Sequence, residues 1–243
     1  MKHEFLNGDA MKEIIKDESV ELFMMWPPYM GMSTGRYGHT AGQLNGAADT
    51  ILFAKRLAKI AKNCEKALKD TGNLLYILPV TDLSLRGYVH KYISKKTNLQ
   101  FNGNLIWYYR MEEGNAPDKI NQDYCDILWY SKGKPRVDYK YLVDNLEEVI
   151  RIPLKPMELV EDYGKLGEVH DSLPIELAEH LIKLFTAEGD TVANILSGTG
   201  TTSIAAENTG RDSIYNDISY VQLTIAKKRM EDLIAKKKKA LKQ

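Results

Sequence analysis

The chain has 243 residues, 33 Lys and Arg against 33 Asp and Glu, and 44% hydrophobic residues, as in an ordinary globular protein. That length suits one sizeable α/β domain or one domain with an inserted lobe, and the neutral balance predicts no polyanion partner by itself. Cys64 and Cys125 lie far apart, which argues against a disulfide scaffold or a zinc site and favours a reducing cytoplasm. With no apolar run near ~20 residues and no signal-peptide pattern, we expect no membrane association.

The first element is a short strand at residues 5–6, followed by a turn at residues 7–9 and a helix from Ala10 onwards. Asp9 is placed to cap that helix, because a carboxylate accepts hydrogen bonds from the first backbone amides. A second interpretation is that Asp9 contacts a cofactor. The residues alone leave both roles open.

Residues 20–25 form an apolar run bounded by charges, which predicts a buried parallel strand. The strand leads into Trp26, Pro27, Pro28 and Tyr29. Two prolines stop any helix, and their carbonyls point into the crevice as hydrogen-bond acceptors. The alternative is a surface turn or a peptide ligand, but the buried strand favours a site.

The middle of the chain alternates helices and strands. Helices are predicted at residues 49–69 and 88–95, and strands at 74–78, 105–110 and 125–130. The last two strands read as an antiparallel hairpin. Residues 137–169 lack clear periodicity and are expected to be an insertion or a partner-recognition segment. Helices at 173–185 and 221–242 flank the final strands, so the whole pattern predicts a parallel α/β sheet.

The most informative stretch is residues 191–202, where an apolar strand ends in a glycine turn before a helix. Gly198 and Gly200 let the backbone adopt positive φ and approach a ligand closely. Asp217 ends the next strand, where an acid can bind ribose hydroxyls. The pattern therefore favours a nucleoside cofactor over an ordinary strand–helix turn, although G-x-G alone is weak. It is not a phosphate-binding P-loop, since no G-K-[ST] follows.

Several motifs follow one another along the chain: Gly8-Asp9, Pro27-Pro28-Tyr29, residues 127–133, residues 174–177, residues 197–202, Asp217-Ile218-Ser219 and residues 226–229. Their order resembles that of the permuted beta group of amino-methylating DNA methyltransferases. The resemblance covers nearly the whole chain.

The resemblance implies one methyltransferase domain over residues 1–243. It divides into a catalytic-motif half at 1–135, an inserted recognition segment at about 136–169 and a cofactor-motif half at 170–243. The fold it implies is a Rossmann-like, seven-stranded, mostly parallel sheet with helices on both faces. The implied cofactor is S-adenosylmethionine, and the implied substrate is an exocyclic amine, adenine N6 or cytosine N4, of a base flipped out of double-stranded DNA. A homodimer or a partner methyltransferase subunit is also expected from the resemblance.

The same resemblance implies roles for individual residues. Trp26, Pro27, Pro28 and Tyr29 form the catalytic motif, in which the Pro27 carbonyl accepts from the target amine and Tyr29 stacks on the flipped base. Asp217 takes the ribose hydroxyls, and Asp9 lies near the adenine or the methionine ammonium. The complete implied cofactor set is Asp9, Asn194, Leu196, Ser197, Gly198, Thr199, Gly200, Thr201, Thr202 and Asp217.

The sequence departs from the family pattern at a few positions. Trp26 stands where the family usually has Asp, Ser or Asn, and an indole N–H only donates. Asn194 replaces a usual acid, and the family's H-P-x-x-K-P segment is shortened at residues 170–174. Two alternatives therefore remain open: a catalytically silent homologue that binds DNA or a partner, and a methyltransferase for RNA or a small molecule.

Overall fold

The structure is a computed structural model that describes residues 1–28, 49–79, 83–109, 124–145, 149–153 and 172–241. Their strands are β1 (His3–Asn7), β2 (Val20–Met25), β3 (Leu68–Pro79), β4 (Gln100–Tyr108), β5 (Tyr124–Ser131), β6 (Ile150–Arg151), β7 (Thr191–Asn194) and β8 (Asp212–Asp217). The helices are α1 (Thr50–Ala67), α2 (Leu83–Lys96), α3 (Tyr139–Asp144), α4 (Ile175–Phe185), α5 (Thr201–Asn208) and α6 (Tyr220–Ala240). None of these helices is long and apolar enough to cross a membrane.

All eight strands form one sheet in the order β1-β8-β7-β2-β3-β5-β4-β6. Only β5 runs antiparallel to its neighbours, so the sheet is mostly parallel as expected. The predicted hairpin is confirmed as the β4–β5 pair. The expected seven strands are joined by an eighth, the two-residue edge strand β6, which is too short to leave a pattern in the sequence.

The core lies on both faces of the sheet. One layer packs α1 and α2 against residues of β2 and β3, and the other packs α4 and α5 against the opposite side of the same strands. All six side chains of β2 are buried, including Glu21, which accepts from the Thr191 N–H at 2.8 Å and pairs with Lys69. Such two-sided burial explains the continuous apolar run in the sequence.

The predicted helix after Asp9 is wrong. The backbone makes one turn, in which the Lys12 N–H donates to the Asp9 carbonyl at 2.9 Å. The Asn63 side-chain amide of α1 donates hydrogen bonds to the Ala10 and Lys12 carbonyls at 3.1 and 3.0 Å. A tertiary contact therefore replaces the hydrogen bonds that a helix would have needed.

The described parts of the segment at 136–169 pack onto the sheet domain. Asp138 caps α3 and its N–H donates to the Leu184 carbonyl at 2.8 Å. The Trp107 indole donates to the Ile152 carbonyl at 2.8 Å. Both ends of the described part are thus held by the core, and residues 154–171 lie outside the described ranges.

Candidate active site

A cavity opens at the carboxyl edge of the sheet, where β1, β2, β7 and β8 end. It encloses about 1050 Å³ when its open mouth is counted. The predicted site residues that line it are Asp9, Trp26, Pro28, Asn194, Leu196, Ser197, Gly198, Thr199, Thr201, Thr202 and Asp217. Parallel strands bring these distant residues together because their carboxyl ends share one edge.

The glycine turn has the backbone geometry that its sequence predicts. Gly198 has φ of 51° and Gly200 has φ of 83°, a region that side-chain-bearing residues avoid. Gly200 is also pressed against α6, because a Cβ placed on it would lie 2.7 Å from the Ala226 Cβ. Gly200 therefore shapes the turn from behind the cavity, whereas Gly198 lines the cavity itself.

Side chains of the same region fix the turn and the start of α5. The Asn194 Oδ1 accepts from the Leu196 N–H at 2.9 Å, and its Nδ2 donates to the Thr202 Oγ1 at 3.0 Å. From α6, Arg229 donates to the Thr199 carbonyl at 2.7 Å. An acid at position 194 would have to accept from the Thr202 hydroxyl instead, so this turn is compatible with either residue. The loop is thus held in place without help from a ligand.

Asp217 lies at the end of β8 with its carboxylate turned toward the glycine turn. Its Oδ2 accepts from the Gly198 N–H at 2.9 Å and its Oδ1 from the Ser219 N–H at 2.8 Å. Burial raises the pKa of this carboxyl above its ordinary value, while backbone hydrogen bonds from Ser219, Gly198 and Ile218 oppose the rise. Each oxygen keeps lone-pair capacity for a further donor. The carboxylate is therefore a fixed, partly desolvated acceptor that suits a pair of hydroxyls.

The end of β1 lies beside the end of β8 and also lines the cavity. Asp9 accepts from the Met11 N–H at 2.9 Å through one oxygen, which stabilises a tight turn rather than a helix start. The Asn216 amide donates to the Gly8 and Ile195 carbonyls at 3.0 and 3.1 Å. This buried side chain ties β1 to β7 and so fixes the position of Asp9.

The four-residue catalytic motif is described up to Pro28, and Tyr29 lies outside the described residues. Pro27 is buried, and Trp26 and Pro28 line the cavity. The Trp26 ring packs edge-on against Trp107, with centroids 5.8 Å apart and planes at 85°. At Trp26 the cavity wall is therefore an aromatic ring held by core packing.

Three functional positions were missed by sequence reasoning. Gln222 lines the cavity from the first turn of α6, and Ser172 lines it with its Oγ 2.8 Å from the Thr199 Oγ1. Asn216 organises the strand ends but does not line the cavity. The sequence offered one signal for Gln222: it is a polar residue on the inward side of the helix that begins just after Asp217.

No group of His, Cys, Asp and Glu within the described ranges could hold a metal ion, and Cys64 and Cys125 are buried free thiols.

Comparison with known proteins gives a consistent family. A model of the DNA methylase family matches residues 20–228. The Type II methyltransferase M.HpaI of Haemophilus parainfluenzae is 24% identical over 249 residues, covering 95% of this chain and 75% of that protein. Among solved structures, the cytosine-N4-specific PvuII DNA methyltransferase has a TM-score of 0.74 at 18% identity, covering 96% and 91% of the two chains. The complex of M1.HpyAVI with SAM has a TM-score of 0.66 at 18% identity, covering 94% and 98%.

Proposed function

The chain belongs to the DNA methylase family, and we propose that its strand-edge cavity holds S-adenosylmethionine while a DNA base enters beside Pro27 and Pro28. The protein is a DNA amino-methyltransferase that uses S-adenosylmethionine. The assignment of individual residues to that reaction is our proposal. The observation that carries it is the meeting of Asp217, the glycine turn and Pro28 in one cavity, although nearly 190 residues separate Pro28 from Asp217.

The cavity has chemistry that fits each part of the cofactor. The Asp217 carboxylate would accept from a ribose hydroxyl, and Ile218 beside it offers apolar surface for the adenine. Thr201 and Thr202 would place the methionine carboxylate at the start of α5, where the helix dipole favours negative charge. Asp9, which also lines the cavity, would receive the methionine ammonium. When bound, the cofactor supplies an electrophilic methyl group on a sulfonium.

The protein's part in the transfer is to orient the amine and to accept a hydrogen bond from it, and the proton that the amine loses passes to solvent. An exocyclic amine is a poor nucleophile because its lone pair is conjugated with the ring. A carbonyl that accepts a hydrogen bond from the amine draws the nitrogen toward tetrahedral geometry and frees that lone pair. We assign this role to the Pro27 carbonyl, since Trp26 has no acceptor in its side chain. Positioning the amine in line with the methyl group supplies most of the remaining rate enhancement.

A basic surface beside the cavity supports DNA as the macromolecule that approaches it. Helices α1 and α2 carry nine Lys or Arg and one Glu, although the whole chain is neutral. Both helices begin at the carboxyl edge of the sheet, because each follows the end of a parallel strand. Exposed Lys55 and Lys59 lie in the half of α1 nearer that edge, whereas Lys91 and Lys95 lie toward the far end of α2. We propose that this α1–α2 surface contacts the phosphates of the duplex.

The test is methyl transfer measured directly. The purified protein is incubated with unmethylated genomic DNA and methyl-labelled S-adenosylmethionine, and the DNA is digested to nucleosides and analysed by mass spectrometry. We expect label in 6-methyladenine or 4-methylcytosine, and the product identifies the target base. A folded protein that binds the cofactor but labels no DNA would overturn the proposed use of Pro27.

One observation favours a second candidate, a silent homologue that needs an active partner: Trp26 occupies the position of the usual acceptor. Trp26→Phe and Trp26→Asp separate the two. If the Pro27 carbonyl suffices, Trp26→Phe keeps the aromatic packing on Trp107 and retains methylation within about tenfold. If the wild type is silent for lack of an acceptor, only Trp26→Asp shows activity.

A further inference from the structure

Gln222 is a buried polar residue that the fold itself does not use. It lies in the first turn of α6, is 4% exposed and lines the cavity. Its Oε1 is buried and has no hydrogen-bond partner in the part of the chain that the structure describes. Buried side-chain acceptors in native proteins are nearly always paired, so this atom needs an explanation.

An amide is not required here for folding. Met or Leu has a helix propensity close to that of Gln, and either would fill the site without an unpaired acceptor. Leaving the amide oxygen unpaired costs free energy, because its bond to water is lost and not replaced. A donor that enters from the cavity would restore that bond. The orphaned oxygen is therefore an observation in favour of a ligand with a hydroxyl or an N–H at this point.

The neighbours of Gln222 indicate which part of a ligand lies there. Ser219 donates its N–H to Asp217 at 2.8 Å, and its Oγ accepts from the Gln222 N–H at 3.4 Å. One turn along α6, Ala226 touches Gly200 at the back of the glycine turn. Gln222 therefore lies on the same wall as Asp217, close to the turn that Asp217 holds through Gly198.

This wall offers two acceptors, the Asp217 carboxylate and the unpaired Gln222 Oε1. Two adjacent acceptors match two adjacent donors, and a ribose carries two vicinal hydroxyls. We propose that Gln222 accepts a hydrogen bond from one ribose hydroxyl of the cofactor while Asp217 holds the other, so that the pair selects an intact ribose. The inference rests on the proposed function, because it assumes that the cavity binds S-adenosylmethionine.

The test compares ligands that differ by one hydroxyl. S-adenosylhomocysteine, which supports no turnover, and its 2′-deoxy and 3′-deoxy forms are titrated calorimetrically into the wild type and Gln222→Met. We expect the substitution to weaken S-adenosylhomocysteine about 5- to 100-fold, as for one hydrogen bond lost in a buried site. One deoxy form should bind both proteins equally, because the hydroxyl that Gln222 would contact is already missing.

A stability measurement separates this role from a structural one. The ligand-free Gln222→Met variant should melt at or above the wild-type temperature, since an unpaired buried amide has been removed. Thr224→Val in the same helix serves as the control, because Thr224 donates to the Tyr220 carbonyl at 3.0 Å and does not line the cavity. It should leave all affinities unchanged.

The outcomes of these titrations distinguish failure of the proposed function from failure of the role proposed for Gln222. A wild type that fails to bind S-adenosylhomocysteine refutes the proposed function, and this inference with it. A wild type that binds while Gln222→Met binds equally well refutes the inference alone. The inference is also refuted if Gln222→Met weakens the binding of S-adenosylhomocysteine and of both deoxy ligands by the same factor. That result would place the Gln222 contact on the adenine amino group or elsewhere.

Discussion

Replacement of Asp217 by Ala is the sharpest test of the cofactor site. The carboxylate already accepts from the Gly198 and Ser219 N–H groups and has room for the ribose hydroxyl that Gln222 does not hold. A hydrogen bond to a charged group contributes about 1.5–3 kcal/mol. At about 1.4 kcal/mol for each factor of ten, Asp217→Ala should weaken S-adenosylhomocysteine binding by roughly 10- to 150-fold.

The measurement is calorimetric titration, with circular dichroism and a melting curve to establish folding. Asp212→Ala is the matched control, because Asp212 begins the same strand at the opposite edge of the sheet and accepts from the Lys2 N–H at 2.7 Å. It should change the affinity less than threefold. A folded Asp217→Ala protein whose affinity stays within threefold of the wild type would refute the assignment of Asp217 to the ribose.

Three further predictions follow from the same geometry. Gly200→Ala combines a positive φ of 83° with a Cβ 2.7 Å from the Ala226 Cβ, so it should lower the free energy of unfolding by about 2–4 kcal/mol. A Cβ on Gly87 in α2 would meet nothing within 4 Å, so Gly87→Ala should not destabilise the protein. If urea titrations gave the two variants equal losses of unfolding free energy, the role assigned to the Gly200 backbone would be refuted. Because ribose hydroxyls bind the ionised Asp217, affinity should fall as pH drops through its raised pKa, a trend absent from titrations of Asp217→Ala. Lys55→Glu with Lys59→Glu should reduce the salt dependence of DNA binding by about two phosphate contacts in a fluorescence titration, whereas reversal of Lys236 and Lys238 on α6 should not.

Much of the architecture was predictable because its signals are local. The buried run of β2, the glycine turn before α5 and the β4–β5 hairpin each follow from a few consecutive residues, and the structure contains all three. The DNA methylase family that these motifs predicted is confirmed. The predicted bounds differ mainly for β3, α2 and β4, which begin six, five and five residues earlier than expected.

The positions that sequence reasoning missed depend on contacts between distant segments. The amphipathic residues after Asp9 have helical spacing. The Asn63 amide donates hydrogen bonds to two of their backbone carbonyls, and the segment forms a turn instead. In the sequence Asn216 is one polar residue within a strand. In the structure its amide hydrogen-bonds to the backbone at the ends of β1 and β7 and so joins them. Gln222 is one polar residue among many in α6 until its burial against the cavity is known.

The sequence by itself determined the strand–turn–helix units, the left-handed glycines and the acid at the end of β8, because these depend on backbone sterics and hydrophobic periodicity. It also determined the family, through motifs in a characteristic order. Only the tertiary structure decided that Asp9, Pro28, Asp217 and Gln222 share one cavity, because parallel strands gather their carboxyl ends at one edge whatever their order in the chain. It also decided that Trp26 packs on Trp107, which follows from core packing between β2 and β4.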